Sequence, residues 1–324
     1  MVKIGIVGLG GIGTVHYRNY QYIDQCKVVA AVCHSEESKH KARKFNLAVY
    51  DDLETMVENE ELDVIDICTP TYLHKTQVLE SLTLDKHVIV EKPIALNKQD
   101  AQAMFDLAEE KGLLLFVGHV VQFAKETEIL RDAIHTQKYG KPLDAYFKRL
   151  AGRPQWSKSG WLLDKDKSGV IPFDLHVHDL DLIISLFGKP QAFSFVSSGR
   201  EDADYEETYR INYTFPDLNI TAEAAWYHAS YPFQATWRVY FEGGLLENDG
   251  KNVILYQMDQ DPVSFDLREE VVVAPGINLP PTGMFYNELS HFIDCIIRGE
   301  PSARVRPEQI IAGVEIMEEI LNGK

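Results

Sequence analysis

Little in this sequence points toward membranes, nucleic acid or an oxidising compartment. Cysteines are few: Cys26, Cys33, Cys68 and Cys295 lie far apart with no CxxC pair, a usage that fits a reducing cytosol better than secretion. Basic residues are outnumbered, 32 Lys and Arg against 49 Asp and Glu, and the resulting net charge of −17 repels phosphate backbones and anionic lipid. Nucleic-acid and membrane partners are therefore not expected. No uninterrupted apolar run reaches the ~18 residues needed to cross a bilayer. Residues 1–15 superficially resemble a signal peptide, but glycines at positions 5, 8, 10, 11 and 13 make a poor hydrophobic helix. They are read as folded protein, with a cytoplasmic location expected.

What is present suffices for two folded domains: 324 residues, 45% of them hydrophobic. From residue 1 to 121, β-branched runs at 3–7, 27–33, 64–68, 87–90 and 113–117 alternate with amphipathic stretches at 11–23, 36–45, 73–82 and 98–110, the last opening after Asn97 as an N-cap. Strands that are apolar along most of their length and separated by helices predict a doubly wound α/β domain with a parallel sheet. From 122 to 324 the pattern turns to period-two alternation at 207–215, 219–226, 235–241 and 252–257, with helices at 174–187, 286–298 and 307–321. This half is expected to be α+β, built on a large, mostly antiparallel open sheet.

The first motif with chemical content is Gly8-Leu9-Gly10-Gly11-Ile12-Gly13, a GxGxxG set between a strand and a helix. Its first glycine permits a tight turn, its second lets backbone approach a pyrophosphate, and its third allows close helix-on-strand packing. Dinucleotide binding follows. At the end of the second strand, where an acid would accept the ribose hydroxyls of NAD, stand Val32-Cys33-His34-Ser35. The missing carboxylate removes a barrier to the extra phosphate of NADP, and His34, Ser35 and Lys39 can contact that phosphate, although no arginine fork is adjacent. NAD and NADP both stay open, with a lean to NADP.

Three further segments carry candidate residues. Thr69-Pro70-Thr71 with His74 follows the strand at 64–68, at the edge where open parallel sheets bind ligands. Glu91-Lys92-Pro93 follows the strand at 87–90: an ammonium there can bind a substrate hydroxyl, and the proline favours a cis peptide. In the second half, a helical 174–181 puts Asp174, His178 and Asp181 on one face at i, i+4 and i+7, with His176 pointing elsewhere. A carboxylate beside an imidazole fixes its tautomer and raises its basicity, as a general base requires. A metal held by His176, His178 and an aspartate is a competing reading, weakened because His at i and i+2 diverge on a helix; a purely structural His and Asp is a third. No metal is assigned.

Together these elements resemble the Gfo/Idh/MocA family of NAD(P)-dependent sugar and polyol dehydrogenases. The likeness runs through the glycine loop, Ile67-Cys68-Thr69-Pro70, Glu91-Lys92-Pro93, Val117-Gly118-His119 and the DxxxH spacing of Asp174 and His178, with Asp181 following. It implies a Rossmann domain and a substrate domain whose open sheet makes homodimer or homotetramer contacts. It also implies that Lys92, Asp174 and His178 meet at the nicotinamide, where a hydride moves between NAD(P) and a secondary alcohol of a sugar, sugar derivative or cyclic polyol. Two departures touch the substrate. Gln122 precedes Phe123 where the family often carries arginine, and His176-Val177 replaces a glycine commonly found between the Asp and His. Gln122, His176, Trp156 and Trp161 are the candidate substrate contacts, since sugar faces stack on aromatic rings. The same fold also serves NAD-dependent glycoside hydrolases and nucleotide-binding regulators without turnover, the two alternative functions.

Overall fold

The computed structural model describes residues 1–155, 157, 160–277 and 280–323. Two compact units emerge: Met1–Ala124 with Glu269–Ile311, and Lys125–Arg268 with Ala312–Lys324. The chain leaves the first unit after Ala124, and the segment from Glu269 returns to it. Its helix is amphipathic, and Phe285 on the buried face packs with Val15 and Val120 while Phe292 stacks on Phe116, so its apolar stripe belongs to the first core.

The first unit runs β1 (Val2–Val7), α1 (Gly11–Tyr20), β2 (Cys26–Val32), α2 (Glu36–Lys44), β3 (Ala48–Tyr50), α3 (Leu53–Asn59), β4 (Val64–Ile67), α4 (His74–Thr83), β5 (His87–Glu91), α5 (Lys98–Glu110) and β6 (Leu115–Gly118). All six strands are parallel, in the order β3-β2-β1-β4-β5-β6. Every residue of β4 is buried, as a sheet covered on both faces demands. Helices α2, α3 and α5 begin where short polar side chains accept orphan amides: Ser35 from Ser38, Asp52 from Thr55, and Asn97 from Asp100. β3 and α3 are additions to the sequence reading. A three-residue edge strand is too short to show a period.

The second unit contributes α6 (Lys125–His135), β7 (Pro142–Gly152), α7 (Lys165–Ser168), α8 (Val177–Phe187), β8 (Ala192–Ser198), β9 (Thr208–Thr214), β10 (Asn219–Tyr227), β11 (Gln234–Phe241), β12 (Gly244–Asn248), β13 (Val253–Tyr256) and β14 (Val263–Ser264). Helices α9 (Met284–Arg298) and α10 (Pro307–Leu321) complete the chain's elements. The eight strands lie in the order β14-β13-β12-β11-β7-β10-β9-β8, antiparallel throughout except where β7 runs parallel to β10. One face is apolar and buried, with Phe147, Ile211, Tyr213, Ala222 and Val239 on it; the other carries Lys148, Arg210, Glu223 and Arg238. β7 holds the middle of this sheet and was not legible as a strand, because one of its inward positions is filled by the charged Arg149. Among the described residues, no helix is long and apolar enough to cross a membrane.

Candidate active site

In the first unit the site is built on strand ends. The sheet order reverses direction between β1 and β4, the switch point at which open α/β sheets leave a crevice for ligands. The turn after β1 fills that position. Gly8 has φ +92°, a left-handed conformation that strains any L side chain, and a Cβ there would stand 2.9 Å from Thr69 Cγ2. The turn after β1 and the turn after β4 are therefore in contact. A Cβ on Gly13 would lie 2.1 Å from the Gly8 carbonyl oxygen, so α1 sits as close to the turn as backbone allows. At Gly10 a Cβ would meet nothing within 4 Å: that space is open at the start of α1, where helix amides face an anion. A dinucleotide pyrophosphate fits this cradle. Gly11 and Ile12 form the first turn of α1.

The Thr69 and Lys92 motifs are tied together by one imidazole. His74, at the start of α4, is buried; its Nδ1 lies 2.9 Å from the Pro93 carbonyl oxygen and its Nε2 2.9 Å from that of Thr69. Burial pushes its pKa below the ordinary histidine range, with the two carbonyls pulling the other way. His74 thus acts as a bracket between the ends of β4 and β5. Thr69 donates its hydroxyl to Gln77 at 2.5 Å, and Thr69 and Pro70 are part-exposed. Lys92 is part-exposed at the end of β5, followed by a cis Lys92–Pro93 peptide. Glu91 turns inward: one carboxylate oxygen accepts the Lys92 amide at 3.1 Å and the other lies 3.0 Å from His16 Nε2.

At the end of β2, His34 and Ser35 are exposed. Ser35 caps α2 by accepting the Ser38 amide at 3.1 Å, and Lys39 pairs with the exposed Asp51 at 2.6 Å. Exposed pairs of this kind are worth little, so Lys39 is available to a competing phosphate.

In the second unit the segment around Asp174 is helical but opens with a π turn, Pro172–His176, before α8. From Ser168 to Ile184 every residue is buried except Asp174 and His178, so these two, four apart, share the accessible edge. Their helix is anchored from beneath. Arg149 of β7 forms a buried pair with Asp179, Nη2 to Oδ1 2.9 Å, and His176 stacks on Tyr213 with Nε2 2.6 Å from its hydroxyl. Burial, helped by Arg149, pushes the His176 pKa down to about 3, so its ring is neutral at physiological pH. His176 and Gln122 are both buried, at 1% and 0% exposure, and Asp181 is buried as well. Trp161 is part-exposed in a 3-10 turn, Trp161–Leu163; Trp156 lies outside the described residues.

His16, which no motif marks, joins Asp66 and Glu91 in the interior of the first unit. Asp66 in the middle of the apolar run Val64–Ile67 was the available signal, since a carboxylate in a fully buried strand needs a partner.

Residues 2–119 match the oxidoreductase family with an NAD-binding Rossmann fold, and residues 127–247 match the GFO/IDH/MocA C-terminal domain. The chain belongs to the Gfo/Idh/MocA family. It is 29% identical over 189 residues to 2,7-anhydro-N-acetylneuraminate hydratase of Escherichia coli K12, covering 58% of this chain and 50% of the relative. To myo-inositol 2-dehydrogenase of Thermotoga maritima it is 29% identical over 192 residues, 58% of this chain and 55% of that one. The chain spans about half the length of these curated relatives. Its fold is similar to that of levoglucosan dehydrogenase, solved with NADH and levoglucosan, at TM-score 0.84 and 17% identity, covering 99% of this chain and 96% of the other.

Proposed function

We propose that this protein is an NAD(P)-dependent dehydrogenase acting on a secondary alcohol of a sugar, sugar derivative or cyclic polyol. The observation that carries this reading is the shared edge of one parallel sheet: the open glycine cradle after β1, the Thr69 turn touching it, and Lys92 at the end of the adjoining β5. Relatives that act on myo-inositol and levoglucosan support the substrate class.

The nicotinamide, when bound, supplies the carbon that accepts or returns a hydride. His178 takes the hydroxyl proton, Asp174 orients its imidazole, and Lys92 binds the same oxygen and stabilises negative charge developing on it. The buried Arg149–Asp179 pair and the His176–Tyr213 contact hold the helix that presents the acid and the base. Lys39, Ser35 and His34 face the adenosine end and favour NADP. The protein works in the cytoplasm as a homodimer or homotetramer, with the exposed face of the second sheet as the contact surface. The Escherichia coli relative named a hydratase supports a second reading, in which oxidation is transient and no reduced dinucleotide accumulates.

A screen of cyclic polyols, free sugars and anhydro sugars against NAD and NADP separates these. Reduced dinucleotide formed in proportion to substrate consumed establishes the dehydrogenase. Substrate consumption without it favours transient oxidation, and neither result with any compound defeats both.

A further inference from the structure

Beneath the strand ends that carry the glycine loop and Lys92 lies a buried polar cluster to which the proposed reaction assigns no part. His16 of α1 and Asp66 of β4 are fully buried. His16 Nδ1 lies 2.9 Å from Asp66 Oδ2, and Nε2 lies 3.0 Å from Glu91 Oε1. Tyr20 donates its hydroxyl to Asp66 Oδ2 at 2.9 Å, and the Cys68 thiol lies 3.5 Å from Asp66 Oδ1 and 3.4 Å from His16 Nδ1. β6 also stands against the Glu91 carboxylate, since a Cβ on Gly118 would lie 3.2 Å from Oε1.

A neutral imidazole has one N–H and one bare nitrogen, and the bare nitrogen repels a carboxylate. With a carboxylate on each ring nitrogen, the imidazolium is the form that satisfies both. Burial by itself would lower the pKa of His16, but the Asp66 carboxylate and Cys68 outweigh it and hold the ring well above the ordinary histidine range. His16, Asp66 and Cys68 also offer ligand atoms within 4.8 Å of one another. A metal would need the thiolate and a bare ring nitrogen. Burial pushes the Cys68 thiol strongly up, and both His16 nitrogens already face carboxylates, so the cluster is a proton-bearing clamp.

We propose that His16 is a positioning residue for Lys92: its imidazolium pins the Glu91 carboxylate between α1 and β6, and Glu91, by accepting the Lys92 amide, fixes where the lysine leaves the sheet. This rests on the reading of Lys92 as a catalytic residue. Geometric precision is what such a clamp supplies, because a displacement of about 1 Å at a reacting group can cost on the order of 10²-fold in rate.

The test is a double-mutant cycle on the full chain with His16→Gln, Lys92→Ala and the pair, recording kcat, KM for the alcohol, dinucleotide Kd and the thermal midpoint. His16→Gln is expected to lower kcat by about tenfold or more while KM and dinucleotide Kd stay within about twofold. In the Lys92→Ala background the same substitution should cost less than about twofold, because its effect passes through the missing lysine. An equal loss in both backgrounds, or an unchanged kcat in His16→Gln, overturns the inference. Parental turnover in Lys92→Ala alone removes the catalytic role of Lys92, and the inference with it. Should His16→Gln fail to fold, Glu91→Gln enters the same cycle with the same expectations and the same refuting outcomes.

Discussion

Gly13 and Gly8 touch: a Cβ on Gly13 would stand 2.1 Å from the Gly8 carbonyl oxygen, whereas a Cβ on Gly10 would meet nothing within 4 Å. The same glycine motif therefore holds one position that the fold needs and one that only a ligand needs. Gly13→Ala must push α1 off the turn and is expected to lower the thermal midpoint by several degrees, on the scale of an overpacked core. Gly10→Ala is expected to leave the midpoint within about 2 °C and to raise the dinucleotide Kd by about tenfold or more, since its methyl occupies the pyrophosphate's place. Calorimetry and fluorescence titration on the two variants check both statements; tight dinucleotide binding by Gly10→Ala would show that the cradle is not used.

Lys39 pairs with Asp51 on the surface, a weak exposed pair, and we propose that it contacts the extra phosphate of NADP. Lys39→Ala is expected to raise the Kd for NADP by about tenfold, one charge-assisted contact, and to leave that for NAD within about twofold. Equal effects on the two dinucleotides would remove Lys39 from cofactor choice.

Two buried histidines, His176 and His16, are expected to give the stability opposite pH dependences. His176 has its native pKa pushed down to about 3, by burial first and Arg149 second. Between that value and the unfolded value near 6.5, the unfolded chain binds a proton that the native one does not, so stability falls as pH falls through this window, by up to about 1.4 kcal/mol per pH unit. His16 acts in the opposite sense. Its raised native pKa gives stability that is complete below about pH 6.5 and is lost as pH rises through the native value. Urea unfolding from pH 4.5 to 9 is expected to show both limbs, with His176→Asn flattening the acid limb and His16→Gln the alkaline one. An acid limb unchanged by His176→Asn would contradict the buried, neutral assignment.

Much of the first unit was legible because its signals are local. The glycine turn, the Asn97 cap and five β-branched strands each occupy a few consecutive residues, and cap geometry or burial accounts for each. Several elements escaped, among them α3, α6, α7, β8, β12 and β14, and for two more the reason is plain. β3 is an edge strand of three residues, and β7 carries Arg149 at an inward position, which breaks the apolar alternation by which strands are read. The return of Glu269–Ile311 to the first unit is a tertiary choice, made by the apolar face of α9 against Val15, Val120 and Phe116. The candidate site divides in the same way. Lys92, Asp174 and His178 stand in recognisable strings, whereas His16 finds its partners 50 and 75 residues away, beyond any spacing rule.

Turnover of Lys92→Ala with the best alcohol from the screen tests most directly whether Lys92 acts at the reacting oxygen, with dinucleotide Kd measured on the same preparation. The expected result is a loss of at least about 10²-fold in kcat, the scale of a general acid-base or charge-stabilising group, with dinucleotide still bound normally. Turnover near that of the parent, with the same Kd, would contradict the account.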